Sequence, residues 1–593
     1  MNGSALGGTT LESLVLVGLA VLVGGALPPV WGAHGSARAG ELTLSAKDLY
    51  GGLEARKVLL DKAGEKLVLD ERVLKFGKEK EGRAVTDPLD LGPAEGLIGL
   101  GGAVGSVEIE VKAEVPAGAS VELEARSSAN GLEAAGWSDW QKLAGLKATV
   151  DKPAGRYLQV KLTLKGTAAD KLPAVSALVL RPVVAAAPAW AGKLEVAESK
   201  IQKLVRSTID FQYERPDQEK LAKFRKDNNL DEVVAGKLDE QLRNKKLTDI
   251  DDSMKGGEDF VKLVRLMDWV GHCHNDRTIH KESEGGFYQW NIEKVFELKE
   301  IEEGGKKVKQ PTIYGHCMSF SETLVTAATA MGYVGSHHLC MVGFREASHE
   351  ITDIWVPSLG KWVYFDPSLS NYYYDKETKV PMNLIEIHKL IADKFLKEGE
   401  TMHWFIERGS QETRARVKEV GGTKHIGCRL GRWKYGDPMP DNYEWGWAHG
   451  YLAAGFVQMT PRNDFHSHPD KTPKSFGNSP GYGGYPFWVD DKTPPERGVN
   501  NWYTRLRDFY WTLDQAGLKL VKAGEGALSV ELGQTMPFFK KYVVKVDGAE
   551  VKDEVKSPYT WTLKPGENKL EVAPVDEFGK VGLPSTVTVK YTK

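Results

Sequence analysis

Short stretches in which apolar and polar residues alternate fill both ends of this chain and constrain its fold more than any other feature. The first region runs from 41 to 182 and the second from 527 to 593. Glycine and proline separate the stretches, as expected for strands joined by turns. The alternation therefore predicts a β-sandwich at each end of the chain.

The region between the two sandwiches has a different character. A chain of 593 residues exceeds what one hydrophobic core organises, so its length implies about three or four domains. We predict a multidomain protein with an N-terminal β-sandwich, an α+β catalytic core and a C-terminal immunoglobulin-like β-sandwich. The predicted segments are a signal peptide (1–39), a jelly-roll-like sandwich (40–182), a linker and helical segment (183–254), a catalytic domain (255–430), an aromatic-rich irregular segment packing on that domain (431–524) and the terminal module (525–593).

The amino terminus predicts export. Residues 14–27 are apolar but too few to span a bilayer comfortably, and Ala37-Arg38-Ala39 resembles a cleavage site. The preceding segment contains Glu12 and no Lys or Arg, which leaves an uncleaved anchor or a different start as alternatives. We expect a secreted, periplasmic or cell-envelope protein.

Charge and cysteine content exclude several classes of partner. The 78 Lys and Arg residues nearly balance 81 Asp and Glu residues, so no overall field recruits nucleic acid or an anionic membrane. Four cysteines are too few for a disulfide framework, and none has zinc-site spacing. Whether Cys340 and Cys428 pair stays open. We expect no metal, no cofactor, no nucleic-acid partner and no membrane contact beyond the signal segment.

The segment 314–332 predicts a nucleophilic cysteine. Cys317 precedes a run of apolar residues with helical spacing, and Gly332 ends that run. The unpaired N–H groups and the positive dipole end of a helix amino terminus stabilise a thiolate. A cysteine at this position can act as a nucleophile at neutral pH, whereas a lone cysteine without catalytic partners is more often inert and buried.

Two predicted strands follow the cysteine helix and carry its partners. Residues 348–357 alternate as one strand, and a short turn leads into a second strand at 361–368. Such a hairpin places His349 beside Asp366, where the carboxylate can orient the imidazole for proton exchange with Cys317.

These three motifs, in this order, resemble the transglutaminase-like superfamily over roughly 255 to 375. The matching patterns are Gly-x-Cys at a helix start, His-x-x-x-Asp-x-Trp, and Gly-x-Trp-x-x-x-Asp-Pro. The resemblance implies a nucleophile at Cys317, a general acid/base at His349 and an orienting carboxylate at Asp366. Papain-like proteases share the chemistry with an Asn in the third role, so the Asp-Pro pair favours the transglutaminase branch.

The remaining site residues are less well defined. The Cys317 backbone N–H is one expected oxyanion donor. The side chains proposed as a second donor are those of Gln289, Trp290 and Tyr314. The side chains proposed to line the substrate are those of His316, Trp355 and Trp362.

Several functions fit this pattern. The favoured one is hydrolysis of an amide bond in a protein, peptide or glycopeptide through an acyl-enzyme, as in a protease or amidase. The alternatives are a protein-crosslinking transglutaminase, a peptide N-glycanase and, in another class, a non-catalytic scaffold of the cell envelope.

The two β-modules have predicted roles of their own. The first resembles jelly-roll modules of secreted hydrolases, and its Trp137 and Trp140 either pack in the sandwich, which we favour, or bind a cell-wall or matrix polysaccharide. The last resembles fibronectin type III or immunoglobulin-like domains. We expect the first module to be separable at a linker near 190 and to contribute nothing to bond cleavage.

Overall fold

The structure, a computed structural model, shows a β-rich multidomain protein with hydrophobic cores in its N-terminal, middle and C-terminal regions. It describes residues 40–76, 80–185, 192–207, 215–242, 254–276, 292–333, 337–342, 348–395, 426–430, 456–460, 487–489 and 502–593. Across these ranges, no helix is both long and apolar enough to cross a membrane. The predicted signal peptide lies outside the described residues.

The N-terminal region forms a β-sandwich of two six-stranded sheets, as the alternation predicted. One sheet has the order β12-β9-β14-β4-β3, with β1 also on β14, and the other has the order β11-β10-β13-β5-β2, with β6 also on β13. The elements of this region are β1 (Leu42–Ser45), α1 (Ala46–Tyr50), β2 (Glu54–Arg56), β3 (Val58–Leu60), β4 (Leu67–Leu69), α2 (Arg72–Phe76), β5 (Glu81–Val85), β6 (Leu89–Asp90), β7 (Ala94–Glu95), β8 (Ile98–Gly99), β9 (Val104–Glu114), β10 (Ser120–Ser128), β11 (Gln141–Leu143), β12 (Lys147–Asp151), β13 (Tyr157–Lys165) and β14 (Ala174–Val184).

Alternate residues of the long strands build the N-terminal core. Val107 and Ile109 on β9 are fully buried, whereas Glu108 between them is partly exposed. Leu123 on β10 faces Leu162 on β13 in the antiparallel register of the other sheet. A one-residue slip would turn these side chains to solvent, so the period of two fixes the strand register.

The middle region combines helices with three sheets. Its elements are α3 (Gln218–Asp227), α4 (Leu230–Val234), α5 (Asp239–Leu242), α6 (Gly257–His272), β16 (His274–Asp276), α7 (Ile292–Val295), β17 (Phe296–Glu303), β18 (Lys306–Tyr314), α8 (Cys317–Ala330), β19 (His337–Val342), β20 (Ser348–Val356), a 3₁₀ turn (Pro357–Leu359), β21 (Lys361–Phe365), β22 (Asn371–Asp375), α9 (Leu384–Phe395), β23 (Ile426–Leu430), β24 (Phe456–Thr460), β25 (Phe487–Val489), β26 (Trp502–Tyr503) and α10 (Leu506–Phe509). The strand orders are β16-β18-β17, β21-β20-β19-β24-β25-β26 and β22-β23.

Helices α6 and α8 supply much of the core of the middle region. Phe260 and Leu263 on α6 and Leu324 on α8 are fully buried in one cluster with Ile354 and Phe365 of the β20–β21 hairpin. The predicted helices around 260–270 and after Cys317, and the predicted hairpin, are confirmed as secondary structure. This packing holds the amino terminus of α8 beside the six-stranded sheet β21-β20-β19-β24-β25-β26, which we call the central sheet.

The C-terminal region is a second β-sandwich that recruits strands from elsewhere. Its own strands are β27 (Ala516–Gly524), β28 (Ala527–Gln534), β29 (Phe539–Val546), β30 (Ala549–Glu550), β31 (Tyr559–Thr562), β32 (Gly566–Asp576) and β33 (Ser585–Thr592). One sheet has the order β15-β33-β32-β29-β30, where β15 is Lys193–Lys200, and the other has the order β31-β28-β27-β8-β7. The sandwich therefore includes residues 94–99 and 193–200, far from the predicted boundary at 525.

The strand β15 differs from the helix-favouring character predicted after the linker. It pairs with β33 from Lys193↔Thr592 to Lys200↔Thr586. Leu194 and Val196 pack against the C-terminal core, while Glu195 between them is exposed. Alternation from Lys193 to Val196, together with an open sheet edge, outweighs the helix propensity of Lys and Glu.

The first module shares its hydrophobic core with residues from a later part of the chain, which argues against its expected separability. Phe487, Val489 and Trp502, on strands of the central sheet, belong to the core of the N-terminal sandwich. Residues 431–524 were predicted as irregular packing on the catalytic domain, yet their described parts add strands to that sheet. The same segment therefore joins two domains.

Two arginines after β26 fix this junction. Arg505 is buried, forms an ion pair with Asp508 and donates to the Gly52 carbonyl at 2.7 Å. Arg507 forms an ion pair with Asp87 at 3.0 Å. Both guanidinium groups thus connect the central region to loops of the N-terminal sandwich.

Candidate active site

Cys317 is the first residue of α8 and is half-buried. The first backbone hydrogen bond of the helix runs from Phe320 N to His316 O at 3.3 Å. The N–H groups of Cys317 and the two residues after it therefore have no acceptor within the helix. They place positive partial charge beside the sulfur, as the sequence predicted.

Gly315 shapes the backbone that leads into the cysteine. Its φ of +116° is outside the usual range for residues with a side chain. A Cβ at this position would lie 2.5 Å from the Ser319 Oγ atom, so a side chain would clash as well. The glycine of the Gly-x-Cys motif is required both by backbone conformation and by this close approach.

His349 and Asp366 lie side by side on the β20–β21 hairpin. The His349 Nε2 atom is 2.7 Å from the Asp366 Oδ2 atom, and both side chains are buried. The antiparallel register pairs Asp353 with Tyr364 and Thr352 with Phe365, which brings the start of β20 close to the end of β21. The predicted proximity of these two residues is therefore present in the structure.

The backbone after β21 holds the Asp366 carboxylate. Its Oδ1 atom accepts hydrogen bonds from Ser368 N at 3.0 Å and from Leu369 N at 3.4 Å. Asp366 and Asn371 also exchange backbone hydrogen bonds at 3.0 and 3.1 Å across the turn. These contacts leave Oδ2 directed at the imidazole.

Electrostatics favour a protonated imidazole. Burial of His349 opposes its protonation, but the charge and hydrogen bond of Asp366 and the contact with Cys317 outweigh that effect. The pKa of His349 consequently lies well above its ordinary value of 6.5. Because Nε2 is bound by Asp366, Nδ1 is the ring nitrogen left to exchange a proton with the Cys317 sulfur.

Tyr364 is a contact of the site that the sequence reasoning missed. Its hydroxyl lies 3.5 Å from the Asp366 Oδ2 atom, and its ring packs edge-on against Tyr373 at 5.3 Å. A signal was available, since residues two apart on a strand share a face and Tyr364 precedes Asp366 by two positions. The phenol therefore contacts the same carboxylate oxygen as His349.

The other predicted site residues occupy varied positions. The Tyr314 hydroxyl donates to Glu297, and partial burial, followed by this bond, raises the pKa of Tyr314 to about 12. His316 is the half-buried N-cap residue of α8. Gln289 and Trp290 lie outside the described residues.

Trp355 and Trp362 are in the protein interior. They face each other across the hairpin with ring centroids 6.1 Å apart, and both are at most 3% exposed. The Trp362 Nε1 atom donates to the Trp511 carbonyl at 2.8 Å. Their position favours packing against the segment after α10 over contact with a substrate.

The two tryptophans of the first module are stacked with cations. The Arg126 guanidinium lies 5.2 Å from the Trp137 ring centre and 4.5 Å from that of Trp140. Lys161 lies 4.6 Å from the Trp140 ring centre. Both rings are half-buried and neither belongs to the core of the sandwich, so the packing role favoured from the sequence stays a prediction.

No potential metal site occurs among the parts of the chain that the structure describes, where no three His, Cys, Asp or Glu side chains form a suitable group.

Comparisons with known proteins give little further information. No protein-family model and no curated protein matches the chain. A family two carbohydrate esterase from Cellvibrio japonicus is similar over 25% of this chain and 36% of its own, at 12% identity and a TM-score of 0.13. The GH26-CBM35 β-(1,4)-mannanase of Podospora anserina is similar over 32% and 35%, at 10% identity and a TM-score of 0.14. The chain thus spans about a third of each, and neither likeness bears on its function.

Proposed function

We propose that this protein is an exported cysteine enzyme with a transglutaminase-like core that acts on amide bonds through an acyl-enzyme. One observation carries the proposal: buried His349 binds Asp366 at 2.7 Å and also contacts Cys317, the first residue of a helix. A nucleophile, a base and a group that orients the base are the parts that covalent acyl transfer requires. In this proposal the flanking sandwiches are jelly-roll-like and immunoglobulin-like.

The reaction begins from a thiolate and a protonated imidazole. The Cys317 sulfur attacks the carbonyl carbon and forms a tetrahedral intermediate with a negatively charged oxygen. The C–N bond then breaks while His349 gives its proton to the leaving amine, which leaves a thioester and a neutral imidazole. Water attacks the thioester, His349 takes the proton from that water, and loss of the acid restores the thiolate and the imidazolium.

Water is the proposed acceptor, and a protein, peptide or glycopeptide is the proposed substrate. Amine transfer would give a crosslinked product, and cleavage at a glycosylated asparagine would give aspartate and a free glycan amine. These products differ in mass, so one assay separates the three reactions. Binding of a cell-wall or matrix polysaccharide by the first module is a separate matter from bond cleavage.

The decisive experiment compares Cys317→Ala with Cys273→Ala. Cys273 is a second cysteine, buried at the end of α6, where its thiol donates to the Trp269 carbonyl. Purified protein is incubated with peptide, glutamine-containing and glycopeptide substrates, and products and acyl-enzyme are detected by mass spectrometry. We expect turnover and a covalent adduct on Cys317 in the wild type and in Cys273→Ala, and neither in Cys317→Ala.

A non-catalytic scaffold predicts a different result. It would show no turnover and no selective reaction of Cys317 with iodoacetamide near neutral pH, because a scaffold needs no activated thiol. Turnover that survives in Cys317→Ala would also refute the proposed mechanism.

A further inference from the structure

The short strand β16 brings the Asn275 amide to Gly315 and His316, the residues before Cys317, which we call the cysteine loop. Strand β16 runs parallel to β18, with Asn275 in register with Ile313 and Asp276 in register with Tyr314. The Asp276 carbonyl accepts a hydrogen bond from Gly315 N at 3.2 Å. The position of Asn275 relative to the residues that precede Cys317 is therefore fixed by backbone pairing.

The Asn275 side chain is directed at this loop. Its Nδ2 atom lies 3.5 Å from the Gly315 carbonyl oxygen, two residues before the nucleophile. Its Oδ1 atom is buried and has no hydrogen-bond partner within the described part of the chain. The contact through Nδ2 is long, and a primary amide has two N–H groups, so at most one of them is used by Gly315.

The acyl-transfer reaction leaves one requirement unmet by the triad. The oxygen of the tetrahedral intermediate carries a negative charge, which two fixed hydrogen-bond donors usually stabilise. The Cys317 N–H supplies one donor at the start of α8, because it has no acceptor within the helix. The second donor has to lie on the same side of the sulfur, next to the 315–317 backbone.

We propose that the Asn275 Nδ2 group is the second oxyanion donor of the site. This inference rests on the proposed function, since it assigns a role within the same reaction. A donor held by a paired strand needs little reorganisation when the charge forms, which is the condition for a large catalytic effect. The sequence offered no signal for it, because Asn275 is 42 positions before Cys317 in a segment without a recognisable motif.

The test separates oxyanion stabilisation from thiol reactivity. Alkylation of Cys317 by iodoacetamide forms no oxyanion, whereas acylation by a p-nitrophenyl ester does. We compare wild type, Asn275→Ala and the neighbouring His274→Ala, whose side chain is exposed. In Asn275→Ala we expect the acylation burst rate to fall on the order of 10²- to 10³-fold while the alkylation rate stays within about twofold. His274→Ala should match the wild type in both reactions.

Each other outcome has a distinct meaning. If Asn275→Ala acylates as fast as the wild type, the second donor is another group and the inference fails, although the proposed enzyme stands. If alkylation and acylation fall together, Asn275 positions the cysteine loop and is not an oxyanion donor. If the wild type is alkylated at Cys317 but is never acylated by the ester or by amide substrates, the proposed function itself fails.

Discussion

The His349 Nε2 atom and the Asp366 Oδ2 atom meet at 2.7 Å although the two residues are 17 positions apart in the chain. The β20–β21 hairpin brings them together, and the backbone N–H groups of Ser368 and Leu369 hold the second carboxylate oxygen. The carboxylate is thus oriented before any substrate binds, which is the arrangement that lets it set the tautomer of the imidazole.

The first prediction concerns Asp366→Asn, which keeps the shape of this side chain. Two backbone N–H groups need an acceptor at the Oδ1 position, so the new amide nitrogen should face His349 and offer it a donor. The imidazole would then hold its proton on Nδ1 and could no longer accept one there. We expect kcat to fall on the order of 10³- to 10⁴-fold, measured on the substrate identified for the wild type.

A matched variant sharpens this prediction. Tyr364→Phe removes a hydroxyl that is 3.5 Å from the same carboxylate but leaves the His349 contact intact. A loss of only a few fold is expected, because a bond of that length is weak. Equal losses in the two variants would argue against control of the imidazole tautomer by Asp366.

The second prediction is a pH dependence of stability that arises from His349. Its pKa in the folded protein is raised well above 6.5, so the folded state holds this proton more tightly than the unfolded state. The resulting stabilisation is fully present below about pH 6.5 and is lost as the pH rises through the raised pKa. Thermal unfolding of the wild type and His349→Gln should therefore differ most at pH 5 to 6 and converge at alkaline pH. A gap that widens with rising pH would contradict this assignment.

The sequence was most informative where the interactions are local. The helix that begins at Cys317 and the hairpin between His349 and Asp366 involve residues close in the chain, so periodicity and turn signals were sufficient to predict them. Pairing of β15 with β33 and of β8 with β27 joins residues several hundred positions apart. Alternation identifies such strands but carries no information about which sheet edge they meet, since any open edge offers the same backbone groups.

The third prediction concerns the buried contact between Asp353 and Tyr510. Asp353 accepts a hydrogen bond from the Tyr510 hydroxyl, and burial raises the pKa of Asp353 from 3.8 to about 7. The folded state holds this proton more tightly, so the contribution to stability is present below about pH 3.8 and is lost as the pH rises through 7. Asp353→Asn should accordingly stabilise the protein at pH 8, by at most roughly 4 kcal/mol, and have little effect near pH 4. Differential scanning calorimetry at the two pH values measures the effect, and an equal shift at both would contradict it.

The last prediction is that the first module cannot be removed without loss of the folded state, in contrast to its expected separability. Deletion of 41–182 would expose Phe487, Val489 and Trp502, each of which contributes about 1.5 to 3 kcal/mol when buried, and would leave Arg505 without its backbone acceptors. We expect the truncated protein to aggregate or unfold, so it cannot report on tethering.

A point variant tests the same junction without deleting a domain. Arg505→Ala leaves the buried Asp508 carboxylate without its cation, which costs about 3 to 5 kcal/mol, whereas Arg181→Ala changes only partly exposed surface ion pairs and should have little effect. Arg505→Ala should therefore lower the apparent Tm and increase proteolysis between the two domains, while Arg181→Ala behaves as the wild type. A soluble 41–182 deletion with wild-type turnover, together with an unchanged Tm in Arg505→Ala, would show that the first module is an independent attachment after all.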